Sequence, residues 1–236
     1  MELAGYPPDP WQRSFLTSDA KRRVLLTGRQ VGKSQAIAAL ALQLSITRPR
    51  HLTLIGAQRA DAAFEFVKDK VLPLYDELDE SALPATRVSL ATAVKTTEFS
   101  NGSRIVAVAM TPKGVRGFSN VGLIVVDEAA FVPDALFGAM SPMVSRNPEA
   151  IVVIASSAWE PSGYFWETCQ QVDRSETDGT VSRWTKWQVR SDECPWISAD
   201  HLAAEREKMP EWQYEREYEC KFSPAIAQAG MVYPWF

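Results

Sequence analysis

The chain has 236 residues, 46% of them hydrophobic and 23% charged, which is enough for one α/β domain with a sizeable core. Its formal net charge of −4 argues against a surface coated in nucleic acid, so any contact with DNA must come from a local patch or from a partner. No apolar run approaches the length of a membrane span, and residues 1–5 lack the pattern of a signal peptide; both predict a soluble intracellular protein.

The cysteines predict no metal site. Cys169, Cys194 and Cys220 lie far apart, no C-x-x-C pair is present, and the whole chain has only two histidines. Zinc is therefore not expected, and the three thiols are predicted to be reduced.

The first segment, residues 6–12, contains three prolines and is predicted to be extended. Because it closely precedes the first strand, Gln12 could reach the adenine edge of a bound nucleotide with its amide, which both donates and accepts hydrogen bonds. The alternative is that Trp11 and Phe15 only fill the core while Gln12 is solvated.

A phosphate-binding loop is predicted between a strand over residues 23–26 and a helix over residues 35–44. The intervening sequence, residues 27–34, is Thr-Gly-Arg-Gln-Val-Gly-Lys-Ser. Its backbone N–H groups and the start of the helix would hold an anion. Lys33 would then reach the β- and γ-phosphates, and Ser34 would supply a hydroxyl to Mg²⁺.

The loop departs from the usual pattern at one position. Thr27 stands where G-x-x-x-x-G-K-[ST] has its first glycine, and Gly28 follows one place later. The effect of this shift on the loop geometry is left open by the sequence.

A second strand is predicted over residues 51–56, followed by an amphipathic helix over residues 58–74 that Pro73 ends. The alternation of strands and helices with short connections predicts a parallel sheet covered on both faces. Asn101-Gly102 then provides a strong β-hairpin signal between two strand-like runs, residues 95–100 and 103–108.

Two carboxylates follow the most apolar predicted strand, residues 123–126. Asp127 and Glu128 would lie at the carboxyl end of this strand, where open α/β sheets place ligands. Asp127 would hold Mg²⁺, usually through water, and Glu128 is placed to orient or deprotonate the water that attacks a γ-phosphate. The alternative, solvated turn residues, is less favoured because the phosphate-binding loop supplies the matching half of a site.

Residues 111–120 form a predicted loop with two glycines and Arg116. A mobile arginine here suits an arginine finger that touches a nucleotide or a phosphate backbone. An ordinary surface loop with a solvated arginine is the alternative, and the residues alone do not separate the two.

Another buried strand is predicted over residues 150–155. Ser156 and Ser157 follow it and could register whether a γ-phosphate is present, or they could be plain turn formers.

The last third of the chain is predicted to continue the alternation. A helix over residues 163–172, a strand over 181–189, a helix that Ser198 caps and that runs towards Lys208, and a helix over 211–218 after Pro210 are expected. The apolar tail, residues 230–236, is typical of a segment covered by a partner or by a further domain.

The order of these motifs resembles the ATPase domain of tailed-bacteriophage large terminases over essentially the whole chain. The matching stretches are residues 10–12, 28–34, 99–105, 116–117, 123–129, 156–158 and 214–222. The resemblance implies an α/β fold of the P-loop NTPase class, ASCE or RecA-like, with a mostly parallel β-sheet flanked by helices and an inserted β-hairpin.

The same resemblance implies roles for residues and two cofactors, ATP and Mg²⁺. Gln12, with Trp11 beside it, belongs to an adenine-recognition motif, Asp127 and Glu128 to Walker B, and Ser156 and Ser157 to a coupling motif. Arg116 matches a finger that acts on the neighbouring subunit's ATP. Walker A comprises Gly28, Arg29, Gln30, Val31, Gly32, Lys33 and Ser34, of which Arg29 matches the arginine that terminases carry in this loop.

The implied function is a motor that packages double-stranded DNA into a procapsid in the host cytoplasm. It would act as a homo-pentameric ring on the portal protein, together with a small terminase subunit and without a membrane. Residues 1–236 would be a single ATPase domain without nuclease activity, leading to an absent nuclease domain; its parts are an adenine-contacting segment (1–22), a P-loop core (23–160) and a C-terminal subregion (161–236).

Two other functions remain open from the residues. A fragment of a helicase-like DNA translocase would need a second motor domain to complete its ATP site. A non-hydrolysing, ATP-gated assembly module is less favoured, because Glu128 is placed for hydrolysis rather than for binding.

Overall fold

The computed structural model describes residue 1 and residues 5–78, 88–91 and 95–224, with backbone only for 88–91. The strands are β1 (Arg22–Thr27), β2 (Leu52–Ala57), β3 (Val88–Ala91), β4 (Thr96–Phe99), β5 (Arg104–Ala109), β6 (Leu123–Asp127), β7 (Ile151–Ser156) and β8 (Thr185–Val189). The helices are α1 (Pro10–Thr17), α2 (Lys33–Thr47), α3 (Ala60–Phe66), α4 (Leu72–Asp76), α5 (Asp134–Val144), α6 (Gly163–Asp178), α7 (Ala199–Lys208) and α8 (Glu211–Tyr218).

All of these strands belong to one sheet, in the order β3-β4-β5-β2-β6-β7-β1-β8. The run from β5 to β8 is parallel throughout, whereas β4 pairs antiparallel with β5 and β3 antiparallel with β4. Strand β7 lies between β1, which leads into the phosphate loop, and β6, which ends in the carboxylates. This order confirms the predicted fold class. The β4–β5 hairpin, which lies between β2 and β6 in the sequence, extends the sheet on the far side of β2.

The central strands β1, β2, β6 and β7 are buried on both faces of the sheet, which explains their continuous apolar runs. One core joins a face of the sheet to α5 and α6, and a second joins the opposite face to the helices from α1 to α4. Strand β7 is buried at every position. No helix in the described part of the chain is long and apolar enough to cross a membrane.

The hairpin turn is fastened to the end of α2. The amide nitrogen of Asn101 donates to the carbonyls of Ser45 (2.8 Å) and Ile46 (3.1 Å), which lie in the last turn of that helix. The amide oxygen accepts from the backbone N–H of Ser103 at 2.9 Å. With Gly102 at φ +80°, the turn is a three-residue loop, and its asparagine satisfies carbonyls that the helix itself leaves unpaired.

Two predictions about helices were wrong, in both cases because of a proline. Pro10 does not extend the chain but starts α1, since a proline at the first helical position gives up only an N–H that has no partner there. Pro73 does not end the helix over residues 58–74. Instead a π turn over Val67–Val71 widens the helix before it, and α4 continues to Asp76.

Most of the remaining elements follow the predictions with changed ends, but α5 and β3 were not predicted. Ser198 caps α7 by accepting from the backbone N–H of His201 at 3.2 Å, as expected. Helix α6 runs six residues past the predicted end to Asp178, and β8 begins at Thr185 rather than at residue 181. The tail over residues 230–236 lies outside the described residues, so the prediction about its covering stays a prediction.

Candidate active site

The loop between β1 and α2 is held from outside by the C-terminal region. A Cβ atom at Gly28 would lie 2.4 Å from Oγ of Ser191 and 2.8 Å from the carbonyl oxygen of Tyr218. Ser191 also donates through Oγ to the carbonyl of Arg29 at 2.9 Å. Glycine at position 28 is therefore required by close approach of two distant segments, while Thr27 is the buried last residue of β1.

The second glycine, Gly32, adopts a left-handed conformation (φ +85°) directly before α2. Its carbonyl accepts a hydrogen bond from the amide nitrogen of Gln12 at 3.2 Å, and the amide oxygen of Gln12 accepts from the backbone N–H of Asp9 at 3.0 Å. Gln12 is buried, so the alternative in which it is solvated is wrong. One N–H and one lone pair of its amide remain for a nucleotide base.

Trp11 and Phe15 both contribute to packing. Phe15 is fully buried, and Trp11 packs, partly buried, against Val31, which also lies in the loop. The indole N–H of Trp196 donates to the carbonyl of Gln30 at 3.0 Å. Aromatic residues from both ends of the chain thus support the outer side of the loop.

Arg29 is paired within the chain. Its guanidinium donates two hydrogen bonds to the carboxylate of Glu217 in α8, at 2.7 and 3.0 Å, and its backbone N–H donates to the carbonyl of the same residue at 2.7 Å. The hydrogen bond and the charge of Glu217 raise the pKa of Arg29, so the guanidinium stays cationic and keeps its bidentate pair with this carboxylate.

Lys33 bridges the two carboxylates at the carboxyl end of β6. Its Nζ lies 2.9 Å from Oδ1 of Asp127 and 2.9 Å from Oε1 of Glu128. Burial alone would lower the pKa of this ammonium, but the two carboxylates outweigh burial and raise it. The structure therefore brings together the side chains that the two sequence motifs predicted to meet.

Glu128 has an unusual backbone. Its φ of 52° and ψ of 44° lie in the left-handed region, which is costly for a residue with a side chain and is common at functional sites. Ser156, opposite Leu26 in the β1–β7 pairing, donates a long hydrogen bond of 3.4 Å from its Oγ to Oε2 of Glu128. The end of β7 thereby contacts the acidic residue that follows β6.

An open cavity of about 590 Å³ lies over the loop. Most of its lining comes from the loop and the first turn of α2, and nearly all of these residues are predicted site residues. Glu128 and Ser157, also predicted, line it as well. Lys70, Phe131 and Glu217 complete the lining together with Thr27, Gly28, Arg29, Gln30, Val31, Gly32, Lys33, Ser34 and Gln35.

Arg116 does not belong to this cavity. It is exposed in a loop that leaves the carboxyl end of β5. The loop is closed at its base by two hydrogen bonds, from the N–H of Val115 to the carbonyl of Thr111 (3.1 Å) and from the N–H of Gly114 to Oγ1 of Thr111 (3.0 Å). Trp11, Gln12, Asp127 and Ser156 also stand outside the lining, although each contacts a residue near it.

The residues beside Lys33 fit a magnesium ion. Oδ1 of Asp127 is buried and lies 2.9 Å from the ammonium of Lys33, which a triphosphate would draw away, and Ser34 lines the adjacent cavity. Among the described residues no three histidine, cysteine, aspartate or glutamate side chains are grouped to hold a metal. A single carboxylate plus a hydroxyl suits Mg²⁺, which retains waters and completes its shell with substrate phosphates.

Sequence reasoning missed Lys70 and Glu217 as residues of the cavity. Glu217 is 188 positions from Arg29, and nothing local marks it as a partner of the loop. The turn that carries Lys70 was predicted as ordinary α-helix. Only the neighbouring Pro73, which disturbs the helix before it, gave a signal that could have been used.

Three features define a P-loop NTPase. They are a glycine-bounded loop before α2, a lysine that meets two carboxylates across one intervening strand, and an open cavity above them. A family model described as "Terminase large subunit, T4likevirus-type, N-terminal" matches residues 24–234. The chain belongs to this terminase large subunit family.

Individual relatives agree with this family. The large terminase subunit of Thermus virus P23-45 is 31% identical over 186 residues, covering 70% of this chain and 36% of that protein. The large terminase ATPase domain of Thermus phage P74-26 has a similar fold, with a TM-score of 0.79 at 24% identity over 94% of this chain and 96% of that one. The large terminase of another thermophilic bacteriophage, solved in complex with ADP, gives a TM-score of 0.72 at 14% identity over 92% and 54%. The chain thus spans about a third of the length of the curated relatives it matches.

Proposed function

We propose that this chain is the ATP-hydrolysing motor domain of a large terminase that translocates double-stranded DNA into a procapsid. The observation that carries the proposal is the meeting of Lys33 with Asp127 and Glu128, each at 2.9 Å, beside the cavity over the loop. Family membership does not favour a helicase fragment or an assembly module that binds ATP without turnover.

In the proposed reaction the triphosphate lies on the backbone N–H groups of the loop, at the start of α2. Lys33 exchanges its two carboxylates for β- and γ-phosphate oxygens, which frees Glu128 to orient the attacking water. Mg²⁺, held by Ser34 and, usually through water, by Asp127, would neutralise charge on the same oxygens when bound. Ser156 and Ser157 would then register the state of the γ-phosphate through their positions beside Glu128 and the cavity.

Two arginines and the N-terminal segment complete the proposed site. Arg116 acts on ATP bound to the neighbouring subunit, which agrees with its exposure outside its own cavity. Arg29 acts within the same subunit, where it lines the cavity. Gln12 contacts the adenine with its remaining N–H and lone pair, and Trp11 packs beside it.

The proposed assembly is a homo-pentameric ring on the portal protein, with the small terminase subunit as a further partner, in the host cytoplasm. A ring would place one basic patch from each subunit around the DNA. The net negative charge of the single subunit would then not prevent DNA binding. Residues 1–22, 23–160 and 161–236 remain the proposed adenine-contacting segment, P-loop core and C-terminal subregion. No nuclease activity is assigned to these residues, and cleavage of plasmid DNA with Mg²⁺ or Mn²⁺ would contradict that assignment.

The test measures ATP turnover and nucleotide affinity in wild type, Glu128→Ala and a control, Glu167→Ala, whose carboxylate is exposed on α6. Glu128→Ala is expected to lower turnover by about 10²- to 10⁴-fold while affinity is retained, because its role is in the chemical step. The control is expected to match wild type. Wild-type protein that binds ATP without turnover would contradict the motor and favour a gated module.

A further inference from the structure

We propose that Lys70 is a further phosphate-binding residue of this nucleotide site, an inference that rests on the proposed function. Three cationic side chains line the cavity: Arg29, Lys33 and Lys70. Arg29 is neutralised by Glu217, and Lys33 by Asp127 and Glu128. Lys70 forms no ion pair with any carboxylate in the described part of the chain, so none of those carboxylates compensates its charge at the cavity.

The backbone explains why this lysine faces the cavity. Lys70 belongs to the π turn Val67–Val71, whose geometry is marked by the hydrogen bond from the N–H of Leu72 to the carbonyl of Val67, five residues earlier. Val67 and Val71 are both buried in the core that contains α2, which leaves the intervening side chains on the outer face. A π turn inside a helix changes the direction of the residues it carries and is frequent at functional sites.

The ligand class follows from the charge and the neighbours. An ammonium without a carboxylate partner attracts the anionic part of a nucleotide and not its base. Ser34 and Gln35, at the start of α2, line the same cavity as Lys70, and the start of that helix is where the phosphates are proposed to lie. Lys70 therefore offers the phosphates a second ammonium besides that of Lys33. Lys70 does not have to leave an ion pair before it can bind them.

Lys68 provides a matched control. It lies on the same π turn and is exposed, but it does not line the cavity. The experiment measures the dissociation constant of a non-hydrolysable ATP analogue with Mg²⁺ for wild type, Lys70→Ala, Lys70→Arg and Lys68→Ala, together with the melting temperature of each without nucleotide.

Lys70→Ala is expected to raise the dissociation constant by about fivefold to tenfold, as for a charge-assisted hydrogen bond in a partly exposed site. Lys70→Arg is expected to restore most of the affinity, and Lys68→Ala to stay within about twofold of wild type. The melting temperatures should be unchanged, since both lysines are exposed.

Equal dissociation constants for Lys70→Ala and Lys68→Ala would overturn the inference, because Lys70 would then add no more than the general positive charge of the surface. A lower melting temperature that accompanies the loss in Lys70→Ala would also overturn it, by assigning the residue a structural role. Wild-type protein that binds no triphosphate would instead contradict the proposed function itself.

Discussion

The two edges of the parallel sheet hold their polar groups in different ways. At the carboxyl edge, Gln30 and Glu128 have left-handed backbones (φ 61° and 52°), and a buried oxygen of Asp127 is paired with the ammonium of Lys33. At the amino edge, the hairpin turn pairs neutral groups with backbone carbonyls, as Asn101 does at the end of α2. Left-handed residues and buried polar atoms without partners occur at both edges, as with Arg50 and Nε2 of His51 at the amino edge. What distinguishes the carboxyl edge is that its charged groups face an open cavity, whereas the amino edge uses side-chain hydrogen bonds to close the backbone.

This contrast predicts that substitutions at the carboxyl edge change catalysis more than stability, and that those at the amino edge do the reverse. The largest effect is expected for Arg116→Ala, in the loop after β5. Turnover should fall by at least about 10³-fold, the lower end for an arginine finger, while ATP affinity is retained. Lys113→Ala, an exposed change in the same loop, should match wild type in a steady-state assay.

A mixing experiment decides whether Arg116 acts between subunits. Arg116→Ala and Glu128→Ala proteins are each expected to be inactive alone. Mixed together they should regain turnover, because the arginine of one subunit would meet an intact Glu128 in the next. Mixtures that stay inactive, with turnover independent of protein concentration in wild type, would place the whole site within one subunit.

The next largest effect is a loss of stability at low pH through His51, at the amino edge. Burial, followed by the charge of Arg48, lowers the pKa of His51 from 6.5 to about 4. The unfolded chain therefore binds a proton below pH 6.5 that the folded chain takes up only near pH 4. The stability that neutral His51 contributes is fully present above pH 6.5 and is lost as the pH falls. The free energy of unfolding should drop by about 2 kcal/mol between about pH 7 and pH 5 through this residue.

Urea unfolding at the two pH values measures this loss. His51→Gln should remove most of the difference, whereas His201→Gln, at the only other histidine in the chain, should leave it unchanged. A pH dependence that survives in His51→Gln would show that another group carries it.

A smaller loss of stability is expected for Asn101→Ala. The change removes three hydrogen bonds and leaves two helix carbonyls without their donor, which costs about 1–2 kcal/mol. ATP turnover should stay within about twofold of wild type, because the turn lies at the edge opposite the cavity. Gln43→Ala, an exposed change on α2, is the control. A large loss of turnover without loss of stability would break the contrast between the edges.

The smallest effect is expected at Glu217. Glu217→Gln keeps the shape of the side chain but removes the charge that neutralises Arg29, so a triphosphate should bind about threefold more tightly by calorimetry. Glu215→Gln, on the same helix but outside the cavity, should have no effect. Weaker binding in Glu217→Gln would mean that the ion pair is needed to shape the loop.

The sequence was sufficient for most of the sheet and for the centre of the site. Strands buried on both faces are continuous apolar runs, and the motifs around Lys33 and Asp127 carry their own structural context, so their meeting could be predicted. The burial of Gln12 could not be predicted from the residues alone, because its hydrogen bond to the carbonyl of Gly32 depends on how α1 docks beside the loop.

The errors came from prolines and from long-range contacts. Asp9 followed three residues later by Gln12 is a helix-start pattern that could have revealed α1, but the three prolines outweighed it. The ion pair of Arg29 with Glu217 and the approach of Tyr218 to Gly28 join the two ends of the chain, and no local pattern encodes such pairs.

Helix α2 joins the two edges directly. It begins at Lys33, under the cavity, and its 15 residues span about 22 Å to the carbonyls that Asn101 caps. A helix of this length behaves as a stiff rod, so a tilt imposed on its first turn by a ligand would displace the hairpin at its far end. A fluorescent label attached through Glu98→Cys, at an exposed position of the hairpin, would then report events at the nucleotide from the opposite side of the molecule.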